Sequence, residues 1–270
     1  MNIGELAATG AQLFQDVGIK GGRLDAEIIL AEVLEKDKSW IIAHNEVEPS
    51  SAQIERIQSL FEIRAKRHPM SYVLGYREFY NLKFAIDKRA LTPRIETEVI
   101  VLEATNRAPQ KARVLDVGTG SGAMAIALQY TRPDFTVVAT EVSHEALDLA
   151  KENATAILGP DHAITFLQSD LFDAVTGTFD LIVANLPYVS RSFQTMEEVT
   201  FEPDVALFGG SEDGLDLYRA FFKDLPEFLE STALVFIESD PWQQPELIKL
   251  AGKAGLSPVF QDYFILGFTS

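Results

Sequence analysis

Val114–Leu128 reads VLDVGTGSGAMAIAL, and its reading decides the fold. Apolar and β-branched residues, which suit a buried strand, run into Gly118, Thr119, Gly120, Ser121 and Gly122. The chain then continues as Ala-Met-Ala-Ile-Ala-Leu, which is good helix-forming material. A strand, a glycine-rich turn and a helix start are therefore expected in that order. Backbone in such a turn can approach a ligand closely, with the N–H groups of the helix start aimed at it. Gly118, Gly120 and Ala123 also satisfy the fingerprint G-x-G-x-x-G/A of dinucleotide sites. The glycines alone thus do not separate a dinucleotide from another nucleoside cofactor. Asp116 narrows the choice: a carboxylate two residues before the first glycine would face a pyrophosphate badly and suits a cofactor with an ammonium group.

Working outward, strand-like and helix-like segments alternate. TVVATE, AITFLQSD, FDLIVAN and ALVFIE are the strand-like runs, with helices from Ser143, near Leu215–Leu229 and from Pro245, and a final pair of short strands. An irregular loop follows FDLIVAN. Apolar strands alternating with helices predict an α/β fold with a parallel sheet covered on both faces. Glu141 ends the second strand about twenty residues past the glycines, where an acid accepts hydrogen bonds from ribose hydroxyls. Asp170 follows the third strand and suits an exocyclic amine. The fourth strand runs into Asn185-Leu186-Pro187-Tyr188 on the same carboxyl edge. There the Asn185 side-chain carbonyl and the Leu186 backbone carbonyl would accept from both N–H groups of a planar nitrogen. Pro187 would stiffen the turn and Tyr188 would stack on the flat group, a contribution chiefly of positioning.

Before this region, residues 1–70 read as amphipathic helices broken at Gly21-Gly22, with a capping-box pattern at Ser50 and Gln53. Residues 71–90 read as a hairpin or linker, with Gly75 and Asn81 as turn residues. Thr92-Pro93 reads as an N-cap followed by proline at the first helical position, with Glu96 and Glu98 near the positive helix end. Residues 91–270 form the expected catalytic domain.

Of the 270 residues 47% are apolar, enough for a sizeable core, and no apolar run is long enough for a membrane helix. The start lacks a basic segment followed by an apolar one, so a soluble cytoplasmic protein is expected. Cysteine is absent, which excludes disulfides, thiolate metal sites and a thiol nucleophile. The net charge of −17 is uneven: residues 1–90 carry −1 and residues 91–270 carry −16. That acidity weighs against nucleic acid as the main partner.

The chain resembles the HemK/PrmC family of S-adenosylmethionine-dependent protein-(glutamine-N5) methyltransferases, which act on class I peptide-chain release factors. The likeness covers nearly the whole length, in RHPMSYVLGYREFY, LTPRIETE, LDVGTGSGAMAIAL, ATEVSHEAL, DLIVANLPYV and FEPDVALFGGSEDGLDLY. It implies a Rossmann-like, seven-stranded methyltransferase domain with a small N-terminal helical domain; the near-neutral charge of residues 1–70 suits that domain to docking the protein substrate. By the resemblance, Gly118–Gly122 and Glu141 would hold S-adenosyl-L-methionine, with Asp170 and Leu171 at its adenine; Asp116, by its charge, and Asn185 are expected to join that cofactor site. Asn185–Tyr188 would bind the glutamine amide of a Gly-Gly-Gln motif, with S-adenosyl-L-homocysteine released and no metal required. Pro93, Arg94, Glu96 and Thr97 would pack beside the site, and Glu202-Pro203 would start a loop over the substrate.

The sequence departs from the family pattern twice. Leu186 replaces the first proline of Asn-Pro-Pro-Tyr, and the tail IESDPWQQ lacks the usual glycine-containing sequel. Alternative readings are glutamine methylation of a ribosomal protein, adenine-N6 methylation of nucleic acid, whose exocyclic amine offers the same two N–H groups, and a cofactor-binding protein without catalysis.

Overall fold

The computed structural model describes residues 1–192 and 197–270. The irregular loop expected after the fourth strand includes residues 193–196, which lie outside the described residues. The chain divides into two units: Met1–Tyr76 with the 3₁₀ turn Glu197–Phe201, and the rest of the described chain from Arg77 onward.

The first unit is helical: α1 (Ile3–Asp16), α2 (Gly22–Leu34), α3 (Lys38–Ala43), α4 (Ser51–Ala65) and α5 (Met70–Leu74). Capping boxes start α1, from Asn2 and Glu5, and α4, from Ser50 and Gln53. Each satisfies two N–H groups that the helix itself leaves without partners. Ile3, Leu6 and Phe14 from α1 meet Ile29 and Leu30 from α2 and Ile57, Leu60 and Phe61 from α4 in one apolar core. Phe14 and Phe61 pack edge to face at 5.4 Å.

A hairpin read from Ser71 gives way at its start to α5. Aromatic and β-branched residues there favour a strand, but Pro69 and a left-handed Gly75 bound a five-residue helix. Strands β1 (Tyr76–Phe79) and β2 (Leu82–Ala85) follow as the expected hairpin. Its two turn residues, Tyr80 and Asn81, both have positive φ, at 51° and 60°, the backbone of a type I′ turn.

The second unit continues with α6 (Glu98–Arg107), β3 (Arg113–Val117), α7 (Ala123–Thr131), β4 (Thr136–Glu141), α8 (His144–Leu158), β5 (Ile164–Gln168), β6 (Phe179–Ala184), α9 (Asp216–Asp224), β7 (Leu229–Glu238), α10 (Gln244–Lys253), β8 (Ser257–Gln261) and β9 (Ile265–Thr269). The seven-stranded sheet has the order β5-β4-β3-β6-β7-β9-β8. Strands β3 to β7 are parallel, and β9 runs antiparallel to both β7 and β8. The chain moves outward one way from β3 and the other way from β6. With right-handed crossovers, α7 and α8 then cover one face and α9 the other.

Alternation along the strands agrees. Leu115, Val117, Ile182, Ala184, Val235 and Ile237 join Tyr218, Phe221 and Leu247 of α9 and α10 in one core. Asp116 projects to the other face, where its carboxylate meets Ala125 of α7. The helix predicted from Thr92-Pro93 starts instead at Glu98, with Thr97 as N-cap. The Thr92 N–H is taken by the Glu202 carboxylate at 3.1 Å, and Thr92–Arg94 form an irregular strap. Among the described residues no helix is long and apolar enough to cross a membrane, and no cluster of acids and histidines could hold a metal ion.

Candidate active site

The reversal of strand order lies between β3 and β6, and open α/β sheets form their ligand crevice at the carboxyl ends of such a pair. A cleft of about 290 Å³ lies there in the second unit. The glycine loop forms one wall. Gly118 and Thr119 donate their N–H groups to the carbonyl of Thr140, at 2.9 and 2.8 Å, which ties the loop to the end of β4. Gly120 has φ +57°, and a Cβ built on it meets nothing within 4 Å. Gly122, at φ +84°, is different: a Cβ there would come within 2.9 Å of Ile126 and 3.2 Å of Ala150. Close helix packing excludes a side chain at the second position, and the open cleft asks for none at the first.

Glu141 lines the cleft and is 9% exposed. Its carboxylate accepts from the N–H of Gly120 at 2.9 Å and of Ser143 at 3.0 Å. Burial raises its pKa against the lowering effect of these bonds. Beyond β5, Ser169, Asp170 and Leu171 form the next part of the wall. Leu171 has φ +44°, and Ser169 fixes this turn by accepting from the Ala174 N–H at 2.9 Å and donating to the Leu171 carbonyl at 3.2 Å.

Asn185, Leu186 and Pro187 line the floor together with Thr97 and Arg94. The Asn185 amide nitrogen donates to Thr97 Oγ1 at 3.1 Å. Thr97 in turn donates to Glu238 Oε2 at 2.6 Å. The Asn185 carbonyl oxygen has no hydrogen-bond partner among the described residues. Tyr188 turns away from the cleft: its hydroxyl donates to Glu238 Oε1 at 3.0 Å. Burial and the neighbouring Glu238 charge raise the Tyr188 pKa, so the phenol stays a donor. The stacking role expected for this ring therefore does not follow from its position.

Asp116, Gly122, Glu96 and Glu202 also do not line the cleft. Asp116 is fully buried beneath the loop; its Oδ2 accepts from Thr119 Oγ1 at 2.6 Å and from the Ala125 N–H at 3.0 Å. Its Oδ1 is buried with no partner, and burial pushes its pKa up to about 7. Glu202 begins the loop that brings Pro203, Val205 and Ala206 to the cleft. Its own side chain is 1% exposed, pairs with Arg94 and accepts from Thr92, so it anchors the strap from behind.

Sequence reasoning missed Glu238 and Tyr218. Glu238 ends β7 at 2% exposure; it is the Glu of IESDPWQQ, which keeps the family pattern after the strand but to which the sequence assigned no role. Tyr218 of α9, fully buried, accepts from the Leu186 N–H at 3.3 Å and donates to the Glu238 carbonyl at 2.5 Å. Asn153 of α8 is a third such residue: its side chain bonds the Ser121 carbonyl and both backbone groups of Ala85, joining the glycine loop to β2.

Two family models match the chain, the PrmC N-terminal domain over residues 5–75 and the methyltransferase small domain over residues 96–202. The release factor glutamine methyltransferase of Xylella fastidiosa (strain 9a5c) is 37% identical over 243 residues, 88% of this chain and 87% of that protein. The protein of the same name from Geobacter sulfurreducens is 35% identical, over 90% of this chain and 86% of that one. The one from Deinococcus radiodurans is 34% identical, over 94% and 92%. Among solved structures, a methyltransferase from Pyrococcus furiosus superposes with a TM-score of 0.55 at 18% identity, over 82% of this chain and 98% of that one; that likeness is one of fold.

Proposed function

The chain belongs to the release factor glutamine methyltransferase family, and on that footing we propose that it methylates the side-chain N5 of the Gly-Gly-Gln glutamine of a class I peptide-chain release factor, in the cytoplasm. The observation that carries the reading is the Asn185 amide, whose nitrogen is committed to Thr97 while its carbonyl is left for the cleft.

The residues fit S-adenosyl-L-methionine as the methyl donor. Gly120 leaves the loop open to the cleft, and the backbone from Gly118 to Ser121 lines it; Asp116 lies beneath the loop, where it accepts from Thr119, and does not reach the cleft. Glu141 would take the ribose hydroxyls, and Asp170 with Leu171 would border the adenine. When bound, the donor supplies an electrophilic methyl group on a sulfonium centre.

The rest is positioning by this chain. An amide nitrogen is a poor nucleophile because its lone pair is delocalised. The Asn185 side-chain carbonyl and the Leu186 backbone carbonyl accept its two N–H bonds and hold it still, with Pro187 restricting Leu186 to extended backbone. Orientation of two reactants is worth about 7–11 kcal/mol in favourable cases, so no strong base is demanded of the site. The new N–C bond replaces one N–H bond, and that proton leaves to solvent. The helical unit, with its own core and nearly neutral charge, supports a role in gripping the protein substrate.

The test offers purified enzyme a release factor, a ribosomal protein and DNA in competition, with methyl-labelled donor. Label on the release factor that vanishes when its Gly-Gly-Gln glutamine becomes alanine is expected. Label on either competitor instead, or equal label on the substituted factor, would contradict the reading.

A further inference from the structure

We infer that Glu238 sets the donor–acceptor polarity of the amide clamp, acting on Asn185 through Thr97 as a positioning residue. The inference rests on the reading of Asn185 as the group that binds the substrate amide.

An ionised carboxylate only accepts. The Glu238 Oε2 contact at 2.6 Å therefore commits the Thr97 hydroxyl hydrogen. With that hydrogen used, Thr97 Oγ1 can only accept from Asn185, and the Asn185 group facing it must be the NH₂, at 3.1 Å. The side-chain carbonyl is then turned the other way, and a substrate that offers N–H bonds meets an acceptor. Thr97 precedes α6, yet its hydroxyl makes no capping bond to that helix; it is spent on this relay.

The same residue fixes the rest of the tetrapeptide. Glu238 Oε1 holds the Tyr188 hydroxyl at 3.0 Å. The Glu238 carbonyl holds Tyr218, whose oxygen accepts the Leu186 N–H. Facing the carboxylate are therefore Thr97 and Glu96 before α6 and Asn185 and Tyr188 after β6, while Tyr218 of α9 meets the backbone carbonyl. Burial, with the Glu96 charge, raises the Glu238 pKa above the usual carboxylate range, against the lowering effect of the hydroxyls of Thr97 and Tyr188 that donate to it.

Glu238→Gln keeps the shape and breaks the logic. A glutamine NH₂ facing Thr97 donates, the hydroxyl turns its hydrogen to Asn185, and the Asn185 amide then presents NH₂ to the cleft, against the NH₂ of the substrate. The test measures single-turnover methyl transfer to a release factor, together with S-adenosyl-L-homocysteine affinity by calorimetry. Glu238→Gln and Thr97→Val should each slow transfer about ten-fold or more, since small misplacements cost that much. Product affinity should stay within about two-fold. In an Asn185→Ala background Glu238→Gln should cost a smaller factor than in the wild type, because the part of its effect that acts through Asn185 is already gone.

Unchanged transfer in either single variant would overturn the inference, and so would equal fractional losses in both backgrounds or a parallel loss of product affinity. Thr97→Val decides the matter if Glu238→Gln does not fold. No transfer by the wild-type enzyme would contradict the underlying reading of the site, and this inference with it.

Discussion

Asp116 is a carboxylate kept dry, with one oxygen satisfied twice and the other by nothing. Its folded-state pKa of about 7 lies above the ordinary aspartate value of about 3.9. The fold therefore favours the neutral acid. Its contribution to stability is full below about pH 4 and is lost as pH rises through about 7. Urea denaturation without cofactor should show wild type losing ground against Asp116→Asn between about pH 4 and pH 7; a difference that does not vary with pH would contradict this. Leu186 makes a related point. The proline that Leu186 replaces has no N–H, whereas a leucine has one, and here that N–H is bonded to Tyr218. Asn185 was legible because an uncharged polar residue ended an apolar strand beside the glycine loop. Glu238 was not, because its partners come from three separate segments that only the fold brings together.

The turn between β3 and α7 is where an element becomes a site. Gly120 and Gly122 look equivalent in the sequence, and packing separates them. Gly120→Ala should weaken S-adenosyl-L-homocysteine binding about ten-fold or more by placing a methyl in the cleft, at a stability cost of only about 1–2 kcal/mol for left-handed backbone. Calorimetry and chemical denaturation read the two effects separately, and unaltered affinity would contradict the placement of the cofactor. The strand–helix alternation was legible from Val114 onward because the first two strands are short, largely apolar runs that lead into Gly118 and into the helix cap Ser143. Two local signals misled. Thr92-Pro93 has the form of a helix start, but a buried glutamate claims the Thr92 N–H and the helix waits until Glu98. Ser71–Leu74 has strand composition, but its bounding Pro69 and Gly75 settle a helix, since β-propensity yields to context.

At the scale of the molecule, the acidic charge belongs to residues 91–270, while the helical unit is nearly neutral and has its own core. Phe61 sits at the centre of that core at 2% exposure, against Phe14. Phe61→Ala should cost about 3–5 kcal/mol within the helical unit and raise KM for the release factor while leaving cofactor-product affinity unchanged. Lost cofactor-product affinity would make the unit structural rather than a docking module. The central claim concerns one nitrogen atom, and the most direct test is fragmentation mass spectrometry of a release factor treated with enzyme and S-adenosyl-L-methionine. The account predicts a single methyl group on the side-chain nitrogen of the Gly-Gly-Gln glutamine, absent when Asn185→Ala enzyme is used. A methyl group on any other residue, or the same modification by the Asn185→Ala enzyme, would contradict it.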